Sequence, residues 1–176
     1  RDSPRIDKEL LEKYHEDLII CSACIGGEIP QHILNGRMDK AEESVLWFKN
    51  LFGEDYYLEI QRHETHDPNA AQDVYPHQVT ANKAILELAR KHNIKVIATN
   101  DVHFVNAEDA EAHDRLICLS TGKDLDDPNR MRYTKQEWMK TTAEMNTIFS
   151  DIPEALSNTL EIADKVEFYS IDHGPI

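Results

Sequence analysis

Apolar residues recur along this chain with two different spacings. Apolar positions three and four residues apart predict amphipathic helices, and four segments show them: residues 4–15, 38–52, 75–92 and 107–120. Short continuous apolar runs predict buried strands, and there are three: residues 18–21, 56–60 and 95–99. Because these helices and strands alternate, the pattern is typical of β/α units with a parallel sheet.

The pattern changes after the third predicted strand and its helix. Residues 124–129 form an acidic, turn-rich loop, and two further helices are predicted over 135–149 and 153–166, with no clear strand between them. Pro153 is well placed at the start of the second, because the first helical position needs no N–H. We therefore predict a boundary near residue 125, between an α/β unit (1–125) and a small helical segment (126–176).

Composition limits the classes of function. With 176 residues, 40% hydrophobic and 30% charged, the chain can build one ordinary core, and no apolar window is long enough to span a membrane. We expect a cytoplasmic protein without a signal peptide. A formal net charge of −14 opposes extended contact with nucleic-acid phosphates, so a DNA partner would have to be held by other sequence. Three cysteines, an odd number, do not indicate a disulfide framework.

Reactive side chains follow each predicted strand. In parallel β/α folds the carboxyl ends of the strands share one face, where active sites are assembled. The residues expected on that face are Cys21, Ser22 and Cys24, then Glu59, Gln61, Arg62 and His63, then Asn100, Asp101 and His103.

Asp101 and His103 allow two interpretations. Alternate residues of an extended chain point the same way, so the pair can bind one zinc, manganese or iron ion. Equally, Asp101 can cap the loop beside a hydrogen-bonded histidine. Cys24 also allows two interpretations: it can be a thiolate ligand or a small buried side chain. Cys21 lies within its strand and is predicted to be core, which disfavours a redox C-x-x-C pair.

The polar stretch 61–73 is long for a loop between a strand and a helix and invites a functional interpretation. In it, His63 is an accessory candidate for metal or anion binding, and His66 is predicted to be a solvated loop residue. Arg62 can hold a phosphate or form an ion pair with Glu59 or Glu64. On the next helix, His113 is predicted to be a helix-surface or capping residue.

Four motifs together resemble one family. They are C-S-A-C-I-G-G-E-I-P (21–30), F-G-E-D-Y-Y-L-E-I-Q-R-H (52–63), I-K-V-I-A-T-N-D-V-H-F-V-N-A-E-D-A-E-A-H-D (94–114), and R-Y-T followed by E-M-N-T-I-F-S-D-I-P-E-A-L-S-N-T-L-E-I-A-D-K-V. In this order they resemble the PHP domain of the bacterial replicative DNA polymerase III alpha subunits and the region after it that leads toward the palm.

The resemblance implies a fold and a partial site. It implies the second half of a distorted β/α barrel of PHP type, followed by a small helical segment. Cys24, Asp101 and His103 match metal ligands of the family, whereas its H-x-H pair and the other ligands have no match here. We therefore expect a fragment that lacks most of the metal site, has no catalytic residue for polymerization, and has no polymerase or nuclease activity alone.

For the parent protein the resemblance implies template-directed DNA synthesis with Mg²⁺ at palm carboxylates, acting on DNA and dNTPs. The PHP site implies Zn²⁺ or Mn²⁺ and either phosphoesterase or 3′–5′ exonuclease activity, or a structural role in docking the epsilon proofreading subunit. The sliding clamp is a further implied partner. The three intact ligand positions favour a metal-competent parent.

Two other classes of protein are compatible with the residues. A stand-alone PHP phosphoesterase acting on a small phosphate ester, such as histidinol phosphate, shares the D-x-H strand end. The late helices argue against it, because they match the polymerase-specific region. The other is a metal-free structural scaffold, in which Asp101 and His103 are hydrogen-bonded to each other or to the backbone.

Overall fold

Three parallel strands form the centre of the fold in the computed structural model, which describes residues 5–170 and 172. The strands are β1 (Ile20–Cys21), β2 (Tyr56–Ile60) and β3 (Val96–Ala98), and β2 lies in the middle of the sheet. Ile20 pairs with Tyr56 and Leu58 with Val96, both in parallel register. The predicted α/β class and the parallel sheet are confirmed.

Seven α-helices surround this sheet within the described residues. They are α1 (Lys8–Lys13), α2 (Glu28–Leu34), α3 (Met38–Phe52), α4 (Val74–His92), α5 (Ala110–Thr121), α6 (Thr142–Ile148) and α7 (Pro153–Lys165), with short 3₁₀ turns at Gly53–Asp55 and Ala107–Asp109. In the described part of the chain, no helix is both long and apolar enough to cross a membrane.

The early helix predictions hold with small changes at the ends. Helix α3 has the predicted bounds, and Gly53 ends it with a φ of +57°, a conformation that glycine adopts readily. Helix α1 is shorter than predicted, because Asp7 caps it by accepting the N–H of Leu10. The predicted start of that helix, at residue 4, lies outside the described residues.

Helix α2 was not predicted from the sequence. Pro30 lies in its first turn, where the missing N–H costs no helical hydrogen bond. Gly27 precedes the helix in a tight approach, since a Cβ atom there would lie 2.5 Å from the carbonyl oxygen of Ser22. A side chain at this position would therefore push helix α2 away from the end of β1.

The predicted helix over 135–149 is wrong in its first half. Residues 134–139 instead run beside the chain that continues β3, with a parallel bridge between Phe104 and Trp138. The N–H of His103 donates to the carbonyl of Glu137 at 2.8 Å. The helix begins only at Thr142, where Thr141 and Glu144 form a reciprocal capping box. Tertiary pairing thus overrides the local helical pattern.

One apolar cluster holds both parts of the chain. Leu58 and Ile60 of β2 are fully buried in it with Ile85 of α4, and Phe149 and Ala155 from the late helices belong to the same cluster. Helix α7 also contacts β3 directly, because Asn158 donates to the carbonyl of Val96 at 2.9 Å. The boundary near residue 125 stays a prediction, and the segments on its two sides share a core.

We expect Phe149→Ala to lower the free energy of unfolding of the chain by about 3–5 kcal/mol, because it removes a large side chain from a packed interior. Phe149 is 1% exposed. Phe168→Ala is a matched control, since Phe168 is fully exposed, and its effect should stay within about 0.5 kcal/mol. Urea denaturation measures both. Equal effects would show that the late helices do not share the core.

Candidate functional site

The carboxyl ends of the three strands meet at one edge of the sheet, as predicted. The N–H of Ser22 donates to Tyr57 and the N–H of Thr99 donates to Ile60, each at 3.1 Å. Ser22 also accepts the N–H of Glu59 on its hydroxyl, at 2.8 Å. The loops that carry the predicted ligands therefore leave the sheet from adjacent points.

The loop after β1 carries Cys24. Ala23 has a φ of +64°, in the left-handed region, and its N–H donates to Glu59 at 3.1 Å. Cys24 is half-buried and lies beside a cavity of about 10 Å³ that Glu59 and Gln61 also line. Burial, and next the charge of Glu59, raises the pKa of Cys21 to about 11. Cys21 is half-buried, and its raised pKa keeps the thiol protonated at neutral pH, which disfavours a reactive redox pair.

The loop after β3 carries Asp101 and His103. Asp101 has a φ of +44°, and its carbonyl oxygen accepts the Nδ1–H of His103 at 2.6 Å. Because a carbonyl can only accept, this bond fixes the proton on Nδ1 in the neutral ring and leaves Nε2 with a free lone pair. A metal-binding histidine commonly donates its other N–H to a backbone carbonyl in this way. The same bond also matches the scaffold interpretation.

An aromatic cluster surrounds His103 that the sequence did not predict. The ring of His103 lies 4.7 Å from that of Tyr133 and 5.7 Å from that of His113, centroid to centroid. His113 is half-buried on its helix, and its ring also packs on Phe104 at 5.1 Å. Burial, and next the proximity of His103, lowers the pKa of His113. The signal for Tyr133 was its place in the R-Y-T motif, and no local pattern tied it to His103.

Tyr133 lies near the predicted ligands of both loops. Its pKa is raised, first by burial and then by the charges of Asp101, Glu137 and Cys24. Glu137 is itself 3% exposed, and its carboxylate accepts the N–H of Thr134 at 3.0 Å. Residues 133–139 thus add a buried acid, Glu137, and a phenol, Tyr133, to this face. The mistaken helix prediction over 135–149 had hidden Glu137.

His63 is deeply buried, and protein groups occupy both of its ring nitrogens. Nε2 donates to the carbonyl of Asn100 at 3.0 Å, and Nδ1 accepts from Gln78 at 3.1 Å. Burial lowers the pKa of His63, so the ring is neutral. Its accessory role in metal binding stays a prediction and would require one of these bonds to break. His66 is exposed, as predicted.

Arg62 pairs with Asp151, and not with Glu59 or Glu64. Its guanidinium makes two parallel bonds to the Asp151 carboxylate, at 2.6 and 2.8 Å, and a third to the carbonyl of Ile148 at 2.8 Å. It also lies 5.0 Å from the ring of Phe149. These contacts attach the corner between α6 and α7 to the end of β2. Phosphate binding by Arg62 stays a prediction.

The predicted ligands fit a metal by their chemistry but do not form a closed site. A thiolate, a carboxylate and an imidazole are donors that zinc accepts, and closing a structural zinc site takes four ligands. Across residues 5–170 and 172, no three His, Cys, Asp or Glu side chains are grouped so that they could hold a metal ion. The assignment of Cys24, Asp101 and His103 as ligands stays a prediction.

Comparison with known proteins shows which proteins the chain is similar to. Residues 1–63 match the PHP domain model, a range that includes Cys24 but neither Asp101 nor His103. The DNA polymerase III subunit alpha of Borreliella burgdorferi is 45% identical over 98% of this chain, which corresponds to 14% of the relative. That of Campylobacter jejuni is 42% identical over 92% of this chain and 14% of the relative. That of Thermus aquaticus is 38% identical over 92% of this chain and 13% of the relative.

The chain is homologous to a segment of the DNA polymerase III alpha subunits. It spans only 14% of the length of the first of these relatives. The similarity runs through both loops of the site and through α6 and α7, so the resemblance carried by the sequence motifs is confirmed. The chain is a mixed α/β unit with a parallel sheet at its centre, and its residues 1–63 match the PHP domain.

We expect Arg62→Ala to lower the free energy of unfolding of the segment by about 1.5–3 kcal/mol, because bonds to a charged group are lost. Asp151→Asn should cost less, about 1 kcal/mol or below, because Asp151 is largely exposed and the bond to Ile148 survives. Urea denaturation checks both, with Arg115→Ala on the exposed side of α5 as the control. Unchanged stability in Arg62→Ala would remove the structural role and favour a ligand-binding one.

Proposed function

We propose that this chain is part of the PHP region of a bacterial replicative DNA polymerase, the DNA polymerase III alpha subunit. The observation that carries the proposal is the 45% identity to such a subunit over 98% of the chain. The segment contributes one side of a metal site, through Cys24, Asp101 and His103. The remaining ligands come from other parts of the same polymerase.

The whole protein is proposed to perform template-directed nucleotidyl transfer on DNA with dNTPs. Magnesium ions at palm carboxylates outside this chain serve that reaction. The segment itself contributes no residue to polymerization. Its net charge of −14 is consistent with this division, because a DNA channel requires a basic surface. The alpha subunit is proposed to act in the cytoplasm.

Zinc or manganese is the proposed ion of the PHP site. When bound, such an ion supplies a Lewis acid suited to phosphoester hydrolysis, including 3′–5′ exonuclease chemistry. His103 supports this proposal, because its bond to Asp101 leaves Nε2 available. Tyr133 packs on the His103 ring and orients it. The half-buried thiol of Cys24 lies on the loop after the neighbouring strand.

A structural role is the second candidate. The bond from His103 to the Asp101 carbonyl and the packing of His103 on Tyr133 and His113 support it, because they order this loop by protein contacts alone. In this case the PHP region serves as a docking surface within the replication complex. The proposed partners are the epsilon proofreading subunit and, in the assembled enzyme, the sliding clamp. A small phosphate-ester phosphatase is disfavoured, because the relatives are polymerase subunits along the whole match.

We expect the full-length alpha subunit to contain bound zinc or manganese after dialysis, and we expect Cys24→Ser, Asp101→Asn and His103→Asn together to remove it. Elemental analysis measures the metal, and primer extension measures polymerization in the same samples. Polymerization should be unchanged, because the palm carboxylates lie outside this segment. The control is His66→Asn, an exposed loop histidine that should keep the full metal content.

Three results would contradict the metal site. Metal absent from the wild-type subunit as well as the variant would favour the structural role. Metal retained at wild-type stoichiometry in the triple variant would show that other residues hold it. Loss of metal in the His66 control would point to general damage and would equally remove the assignment.

A further inference from the structure

Glu59 lies at the centre of the edge where the three strands end. It belongs to β2, the middle strand, and its side chain points to the opposite face from Leu58 and Ile60 because side chains alternate along a strand. One carboxylate oxygen accepts the N–H of Ala23 at 3.1 Å, and the other accepts the hydroxyl of Thr99 at 2.7 Å. A single side chain is thus bonded to both neighbouring strand ends.

The two loops that Glu59 joins are those that carry the predicted ligands. Ala23 directly precedes Cys24, and Thr99 lies two residues before Asp101. Both loops contain a residue in the left-handed region, Ala23 at φ +64° and Asp101 at φ +44°. Such conformations persist only where the surrounding contacts impose them. The bond from the N–H of Ala23 to Glu59 is one such contact, and it adjoins the strained residue directly.

The chemistry of this junction requires a side chain with two accepting oxygens. The Thr99 hydroxyl accepts from the side-chain amide of Gln61 at 2.9 Å and donates to Glu59, so the chain of donors runs in one direction toward the carboxylate. The N–H of Ala23 is a donor as well. A carboxylate accepts both bonds, whereas a glutamine would present an NH₂ group to one of the two donors.

We infer that Glu59 is a positioning residue, which fixes the Cys24 turn and the Asp101–His103 loop relative to each other through its bonds to Ala23 and Thr99. The consequence of this positioning role for metal binding rests on the function proposed above. Both oxygens of Glu59 accept hydrogen bonds from protein donors, which is what the positioning role requires. Its effect is to set the separation between the Cys24 sulfur and the side chains of the second loop.

Hydrogen exchange of the metal-free, full-length alpha subunit tests the coupling. In Glu59→Ala, we expect residues 22–27 and 99–104 both to exchange about ten-fold faster, the effect of one lost charge-assisted bond at each loop. Of the two bonds to Glu59, Thr99→Val removes only the one from Thr99, so it should speed exchange in 99–104 and leave 22–27 unchanged. Glu59→Gln should lie between wild type and Glu59→Ala. Glu87→Ala, an exposed carboxylate on α4, is the matched control.

Cobalt substitution gives a second readout that a general loss of stability would not imitate. Bound cobalt reports a cysteine ligand through a thiolate-to-cobalt absorption band, which we expect in the wild type and not in Cys24→Ser. Glu59→Ala should weaken the band, and Glu59→Gln should restore part of it. Exchange in the middle of α4 shows whether each variant is folded, and if Glu59→Ala is not, Glu59→Gln carries the test alone.

The outcomes separate this inference from the proposed function. Unchanged exchange in both loops of the Glu59 variants overturns the inference, and so does a wild-type cobalt band in Glu59→Ala. Faster exchange confined to one loop also overturns it. If the wild-type subunit shows no cobalt band while both loops loosen in Glu59→Ala, the proposed metal site fails and the positioning of the two loops by Glu59 stands.

Discussion

The parallel pairing of β2 with both of its neighbours is the constraint on which the rest of the structure depends. Parallel strands place all their carboxyl ends at one edge, and each return of the chain requires a long crossover, supplied here by α3 and α4. The polar residues that follow the strands are therefore brought to one edge of the sheet, although they lie far apart in the sequence. Burial of Leu58 and Ile60 fixes the register, because a shift by one residue would turn Glu59 into the core.

The late part of the chain completes this sheet edge. Residues 134–139 extend beside the chain after β3, and they bring Tyr133 and Glu137 next to the loop of Asp101 and His103. Arg62 then ties the corner between α6 and α7 to the end of β2. The late segment (126–176), which the sequence predicts as a separate helical segment, therefore contacts the candidate site directly. Its removal would expose apolar groups of the shared core as well as the site.

Buried polar groups at this edge are paired in a definite direction. His63 donates to Asn100 and accepts from Gln78, and Gln61 donates to Thr99, which donates to Glu59. Hydrogen-bond networks of this kind rigidify a structure, because each broken bond leaves a buried group without water. The candidate ligands lie in the loops beside these networks, and the Nδ1 bond of His103 to Asp101 leaves its Nε2 with a free lone pair.

The sequence by itself determined the α/β class, the bounds of α3 and β2, and the family, because these rest on local periodicity and on long motifs. It also identified the strand-end residues, since parallel β/α units place them at one edge. The tertiary structure alone decided the extended path of 134–139, the partner of Arg62, the burial of His63 and the partial burial of His113. These features depend on contacts between residues far apart in the chain, such as Arg62 with Asp151 and His103 with Glu137, and local spacing carries no record of such contacts.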